Sequence, residues 1–214
     1  MNRRRYLAGL GTAGFAGTAG CLDFVFGDEL AFAASPVRVQ PATADAAGYR
    51  RVRTTENTVE QTVEAGGESR DIVATNVHVE YGKAVSTGSL DPGEHAALFV
   101  AVTTPQVRVL DRSFNPLQHL SARQVAGIVQ GQYDAFQSLS HREDANIRVG
   151  NRETTRSEFL TTARLADQRV DVRLHVTEFV ELGDDFLLTL GLYPDLVDEK
   201  ANVISLMEAV ERDG

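Results

Sequence analysis

Apolar and polar residues alternate with a period of two through much of the chain, and that period predicts β-strands. Thr58 to Glu64 alternates through Val59, Gln61 and Val63, and Gly66-Gly67 supplies a turn. Asp71 to Tyr81 then sets Val73, Thr75, Val77, Val79 and Tyr81 on one face and Asn76, His78 and Glu80 on the other. After a turn-rich connection at Gly88 to Gly93, Ala96 to Thr103 is apolar on both faces, the pattern of a central strand. Gln106 to Leu110 continues as a strand and stops at Phe114-Asn115-Pro116.

The period then changes. Ser121 and Gln124 form a capping box, and Val125, Ile128, Val129 and Phe136 follow at helical spacing. Further segments run over Ile147–Val149 and Glu153–Leu165. In Arg169 to Phe179, Val170, Val172, Leu174 and Val176 alternate with Asp171, Arg173, His175 and Thr177, which predicts a strand with one buried and one solvated side. Gly183-Asp184-Asp185 reads as a hairpin turn with solvated carboxylates. Phe186, Leu188, Leu190 and Leu192 make another core strand, ending at Tyr193-Pro194. Asp195 or Asp198 is expected to cap a last helix whose inner face carries Val203, Ile204, Leu206, Met207 and Val210. Strands, a helix, strands and a helix give an α+β class: a largely antiparallel sheet with two packed helices in a single domain over residues 30–212.

Ahead of the first strand the pattern is of another kind. Arg3-Arg4-Arg5-Tyr6-Leu7 fits the twin-arginine export motif, with Arg3 and Arg4 as the pair. The Gly- and Ala-rich stretch behind it completes a signal peptide over residues 1–20. Five glycines within residues 8–20 argue against a stable helix there. Gly9 to Gly14 matches the dinucleotide G-x-G-x-x-G string, but a removable leader is not the strand-to-helix turn that gives the string meaning. Thr18-Ala19-Gly20-Cys21 resembles a lipobox, with Thr18 where leucine is usual, and assigns lipidation to Cys21. Residues 21–29 are then the lipidated cysteine and a short tether.

Composition sharpens this picture. The chain carries 21 Lys+Arg against 30 Asp+Glu, a net charge of −9, which excludes a general nucleic-acid binder. Removing residues 1–20 takes away three arginines and no acid, so the charge becomes −12, with Lys83 and Lys200 the only lysines. Scarce lysine under an acid excess predicts a protein adapted to high salt. A single cysteine excludes intramolecular disulfides and cysteine-based metal clusters.

Candidate chemistry is sparse. His78 and Glu80 share a strand face, and with His175 they would make a two-His, one-carboxylate metal site if their strands were neighbours; solvated strand histidines are the simpler reading. Arg50-Arg51-x-Arg53 is the one basic cluster outside the leader, fit for an anionic surface or for pairing with Glu56 and Glu60. No G-x-S-x-G, H-E-x-x-H or P-loop string occurs. The residues therefore assign no catalytic group, no cofactor and no firm metal ligand.

Phe114-Asn115-Pro116, His175-Val176-Thr177-Glu178, Tyr193-Pro194 and Gly183-Asp184-Asp185-Phe186, behind a twin-arginine leader, resemble a family of haloarchaeal lipoproteins of unknown function. The resemblance implies export and anchoring at the extracellular face of the cell membrane, and no activity. At the level of fold, the arrangement is similar to the Mog1/PsbP-like sheet with packed helices. The expectation is a non-catalytic binding or accessory module. Its partners are the membrane, through the lipid on Cys21, and an extracellular protein or small molecule, with no nucleic acid. The alternative is an extracytoplasmic hydrolase or metal-dependent enzyme whose site is assembled from scattered residues.

Overall fold

A computed structural model describes residues 29–65, 68–85, 96–109, 112–113, 120–132, 139–165, 168–213. The signal peptide, Arg3, Arg4 and Cys21 lie outside the described residues, as do His95, His119 and Phe114-Asn115-Pro116. The strands are β1 (Glu29–Ala33), β2 (Val37–Val39), β3 (Arg50–Ala65), β4 (Glu68–Lys83), β5 (Ala97–Pro105), β6 (Arg108–Val109), β7 (Arg112–Ser113), β8 (Ser140–Val149), β9 (Arg152–Leu165), β10 (Gln168–Thr177), β11 (Val180–Leu182), β12 (Asp185–Pro194) and β13 (Val210–Arg212). The helices are α1 (Pro41–Ala47), α2 (Ala122–Gln132) and α3 (Lys200–Glu208).

Nine strands form one open sheet in the order β1-β4-β5-β12-β10-β9-β8, with β3 beside β4 and β11 beside β12. Every pairing in it is antiparallel except β1 with β4, so the sheet is mixed. The apolar run Ala97–Pro105 takes the centre, between β4 and β12, as its two-sided pattern requires. β3 and β4 extend past the segments expected over Thr58–Glu64 and Asp71–Tyr81, as a pair of sixteen-residue strands.

Paired residues share a face, so the register sorts the side chains into two layers. One face carries Val77, Val79 and Tyr81, then Phe99 and Ala101, then Leu187. It is covered by α1, by α3 and by the small β2–β13 ladder, which together make the main core with Tyr49, Val203, Leu206 and Met207. Tyr81 fixes this cover through its hydroxyl, whose oxygen accepts from the Val39 backbone N–H of the ladder at 2.9 Å. The other face carries Phe159, Leu174, Val176 and Leu188 under α2, through Ala122, Val125 and Ala126.

The largely antiparallel sheet and both expected helices are present, but the sheet includes one parallel pair and a third helix joins them. The three helices among the described residues are split between the two faces. α2 begins as read: Ser121 N donates to Gln124 Oε1 at 2.9 Å, and Gln124 N donates to Ser121 Oγ at 3.4 Å. α1 was not foreseen; Pro41 opens it, and Gly48 closes it at φ 76. α3 starts from Glu199 with no side-chain cap, so neither Asp195 nor Asp198 performs the expected capping. Asp185 is also not a solvated turn residue. It is buried, accepts Ser35 N at 3.0 Å and has its carboxyl pushed up by that burial.

Candidate functional site

The segment Arg169 to Phe179, expected to be wet on one side, is so only at its start, where Arg169 and Asp171 are exposed; from Leu174 to Thr177 both faces are buried. His175 and Thr177 are fully buried, and so are Arg156 and Glu158 on the neighbouring β9. Register explains why they meet: His175 lies opposite Glu158 on one side and Gly191 on the other, and Arg173 lies opposite Tyr193. All of these project from the face that α3 covers. Gly191 lets α3 come close, because a Cβ there would stand only 2.3 Å from Val203 Cγ1.

The polar groups on this face neutralise one another. Glu158 makes ion pairs with Arg173, with Lys200 Nζ at 2.8 Å and with Arg156 Nη1 at 3.6 Å. Arg156 Nη2 donates to Glu143 on β8 at 2.5 Å, and Lys200 reaches the same carboxylate at 2.9 Å. Arg173 also pairs with Asp195, just beyond β12. Three cations thus face three carboxylates. One oxygen, Glu158 Oε2, is held by charge alone, with no partner in hydrogen-bond geometry.

His175 is fixed in one protonation state. Arg156 Nη1 lies 2.7 Å from His175 Nδ1. A guanidinium can only donate, so Nδ1 is the acceptor and the ring proton sits on Nε2. Nε2 then donates to Tyr193 Oη at 2.9 Å, and the two rings stack at 5.4 Å. Burial, reinforced by the Arg156 charge, pushes the imidazole down to about 4. Burial also raises the Tyr193 phenol, aided by Glu158. Hydrogen bonds from Lys200 and Arg156 hold the Glu143 carboxyl at about 2. Burial alone would raise Glu158, but Lys200 and Arg173 outweigh it and keep the carboxyl below its usual range. At neutral pH the cluster is a set of fixed charges around a neutral imidazole.

A second buried pair holds the start of α3. Lys83 Nζ lies 2.6 Å from Glu199 Oε1, Asn202 Nδ2 donates to Glu199 Oε2 at 2.9 Å, and the Lys83 ammonium sits over the Tyr49 ring. Between β12 and α3 opens a cleft of about 260 Å³, lined among others by Arg173, Tyr193, Asp195, Leu196, Asp198 and Lys200. Leu196 stands at its rim, 78% exposed.

The three residues considered for a metal do not converge. His78 and Glu80 pair with Val102 and Val100, on the α2 side of the sheet, whereas His175 faces α3. Two strands separate β4 from β10, a lateral distance of about 14 Å at ~4.8 Å per strand. Glu80 instead takes Arg53, at 2.9 Å from both carboxylate oxygens. Among the described residues no group of three or more His, Cys, Asp or Glu side chains is arranged to hold a metal ion. The basic cluster is likewise divided: Arg51 binds Asp213 at 2.8 Å and the Val37 carbonyl, so neither it nor Arg53 pairs with Glu56 or Glu60. Sequence reasoning passed over Arg156, Glu158, Tyr193 and Lys200. The one available signal was opposite charges in phase on adjacent strands.

Fold and site together define a mixed-sheet α+β domain with helices on both faces and a charge-balanced polar layer under α3. The chain belongs to the family described as a domain of unknown function, DUF6517, which matches residues 36–211. No curated protein matches the chain.

Proposed function

We propose that this protein is a lipid-anchored module at the extracellular face of a halophilic archaeal membrane. It would be exported through the twin-arginine pair Arg3 and Arg4, be held by Cys21, and act by binding a protein or small molecule without catalysis. The observation that carries the non-catalytic part is the bonding of His175: both ring nitrogens are committed, to Arg156 and to Tyr193. A general base needs a nitrogen within hydrogen-bond reach of substrate, and a nucleophile needs such a base beside it. The neighbouring charges are already matched one against another, so they hold the sheet and α3 in register. Twin-arginine export carries folded proteins, which suits a domain whose polar layer forms only in the assembled sheet. The helices on both faces of a largely antiparallel sheet support the Mog1/PsbP-like reading of the fold.

The binding surface we assign is the rim of the cleft, where Leu196, Asp195 and Asp198 lie side by side. The exposed leucine provides an apolar contact and the acids set its polar surround. A photo-crosslinking residue at position 196, placed in native membranes kept in molar salt, should recover a stoichiometric adduct, and mass spectrometry of the same material should find lipid on Cys21. Recovery of the uncoupled chain alone would count against binding at this rim. An intact leader with a free thiol would count against anchoring.

A further inference from the structure

The charges around the cleft between β12 and α3 are matched, with one exception. Of the three acids on the connection into α3, Asp195 receives Arg173, and Glu199 receives Lys83 and Asn202. The third, Asp198, is exposed, and its carboxylate has no ion pair or hydrogen bond among the described residues. Arg156, Arg173 and Lys200 therefore stand against Glu143, Glu158, Asp195 and Asp198, four carboxylates to three cations. Arg173 and Lys200 each hold two carboxylates, one of them the buried Glu158. The charge that an incoming ligand meets unmatched is that of Asp198.

The turn beside it adds a second feature. Val197 N donates to the Pro194 carbonyl at 3.1 Å, and Asp195 N donates to the Asp171 carbonyl at 2.8 Å, which ties the turn to β10. Val197 packs on the main core, whereas Leu196 belongs to no apolar cluster among the described residues. Gly, Asn and Asp are the usual residues at such a turn, so its conformation does not explain a leucine that is 78% exposed. An apolar side chain held outward beside an unmatched carboxylate fits a ligand that is apolar along its length and positive at its end.

We propose that this cleft receives one organic cation, an ammonium or guanidinium group on a short aliphatic stem, as on a lysine or arginine side chain. The inference rests on the reading of the cleft as a binding surface and names what enters it. A volume of about 260 Å³ is below the ~300–1,000 Å³ of a drug-sized site and is on the scale of one side chain. The head donates to Asp198, and the stem lies against Leu196. An anion would meet the surplus of carboxylate. In molar salt, attraction beyond about 3 Å is screened, so direct N–H···O contact and the stem give the selectivity, and the acidic field of the whole surface does not.

The test titrates the full chain in detergent, at the salt that keeps it folded, with saturation-transfer NMR reading the probes themselves. The probes are N-acetyl-arginine methylamide, butylguanidinium, N-acetyl-citrulline methylamide, which keeps the shape and loses the charge, and N-acetyl-glutamate methylamide. Both guanidinium probes should saturate, and the citrulline probe should bind about tenfold more weakly or worse. Asp198→Asn should weaken the arginine probe by about tenfold. Asp184→Asn, at an exposed acid beyond the other end of β12, should leave it unchanged. Leu196→Ala should weaken it about threefold and reduce transfer to the stem protons. Tighter binding of the arginine probe than of butylguanidinium assigns the cation to a partner's side chain, and the reverse order assigns it to a free small cation. Equal loss in Asp184→Asn and Asp198→Asn, preference for the glutamate probe, or no saturable binding overturns the proposal. Should crosslinking at position 196 succeed while every probe fails, the binding module stands and the cation falls. Saturation without a crosslinked partner supports the cation and counts against a docked protein.

Discussion

His175 shows how burial turns an ordinarily titratable side chain into a structural one. Its imidazole is held near 4, against about 6.5 in an unfolded chain, because burial disfavours the charged ring and a proton on Nδ1 would also displace the Arg156 bond and place a charge beside a guanidinium. The unfolded state therefore takes up a proton between these values and the folded state does not, so stability falls as pH drops from about 6.5 to about 4 and this loss ends below 4. The span corresponds to about 3 kcal/mol. His78, also lowered by burial, contributes in the same sense. His175→Gln should flatten most of the decline in unfolding free energy measured by denaturant titration across that window. A slope equal to wild type would mean that other groups produce it.

At the scale of elements, α3 is the piece whose position decides whether the polar layer is dry. It rests on β12 at Gly191 and is tied by Lys200 to Glu158 and Glu143. Gly191→Ala should push the helix outward and cost about 2 kcal/mol by thermal melting, and less when Val203→Ala makes room for the new methyl group. An equal cost in both backgrounds would show that the two positions do not touch. Element by element, what could be read in advance followed from period and punctuation. The strand from Phe186 to Leu192, the two-sided apolar β5 and the Ser121–Gln124 cap each carry their own local pattern. α1 spans only seven residues, too short for a helical period to show. The polar faces of β9 and β10 alternate as solvated faces do, because a side chain satisfied by a partner across the sheet looks the same in sequence as one satisfied by water. Asp195 was read as a cap for the same reason: its partner, Arg173, lies 22 residues away, on a different strand.

For the whole molecule, the net charge of −9 sets up a contest between the surface and the interior. Repulsion among exposed carboxylates is nearly abolished at molar salt, where the Debye length is about 3 Å. Under α3 the Arg156–Glu158 pair is buried on both sides and responds far less. Melting temperature should thus rise with salt, while the order of stability among interior variants such as Gly191→Ala and wild type stays fixed. A melting temperature indifferent to salt would remove the case for a halophilic surface.

The position of β1 bears on how force applied at the start of the domain would enter the sheet. β1 enters the sheet with Glu29 beside Asp71, near the start of β4 and away from Lys83. A pull applied at Glu29 would therefore load this five-residue parallel ladder first, before the longer antiparallel strands of the core.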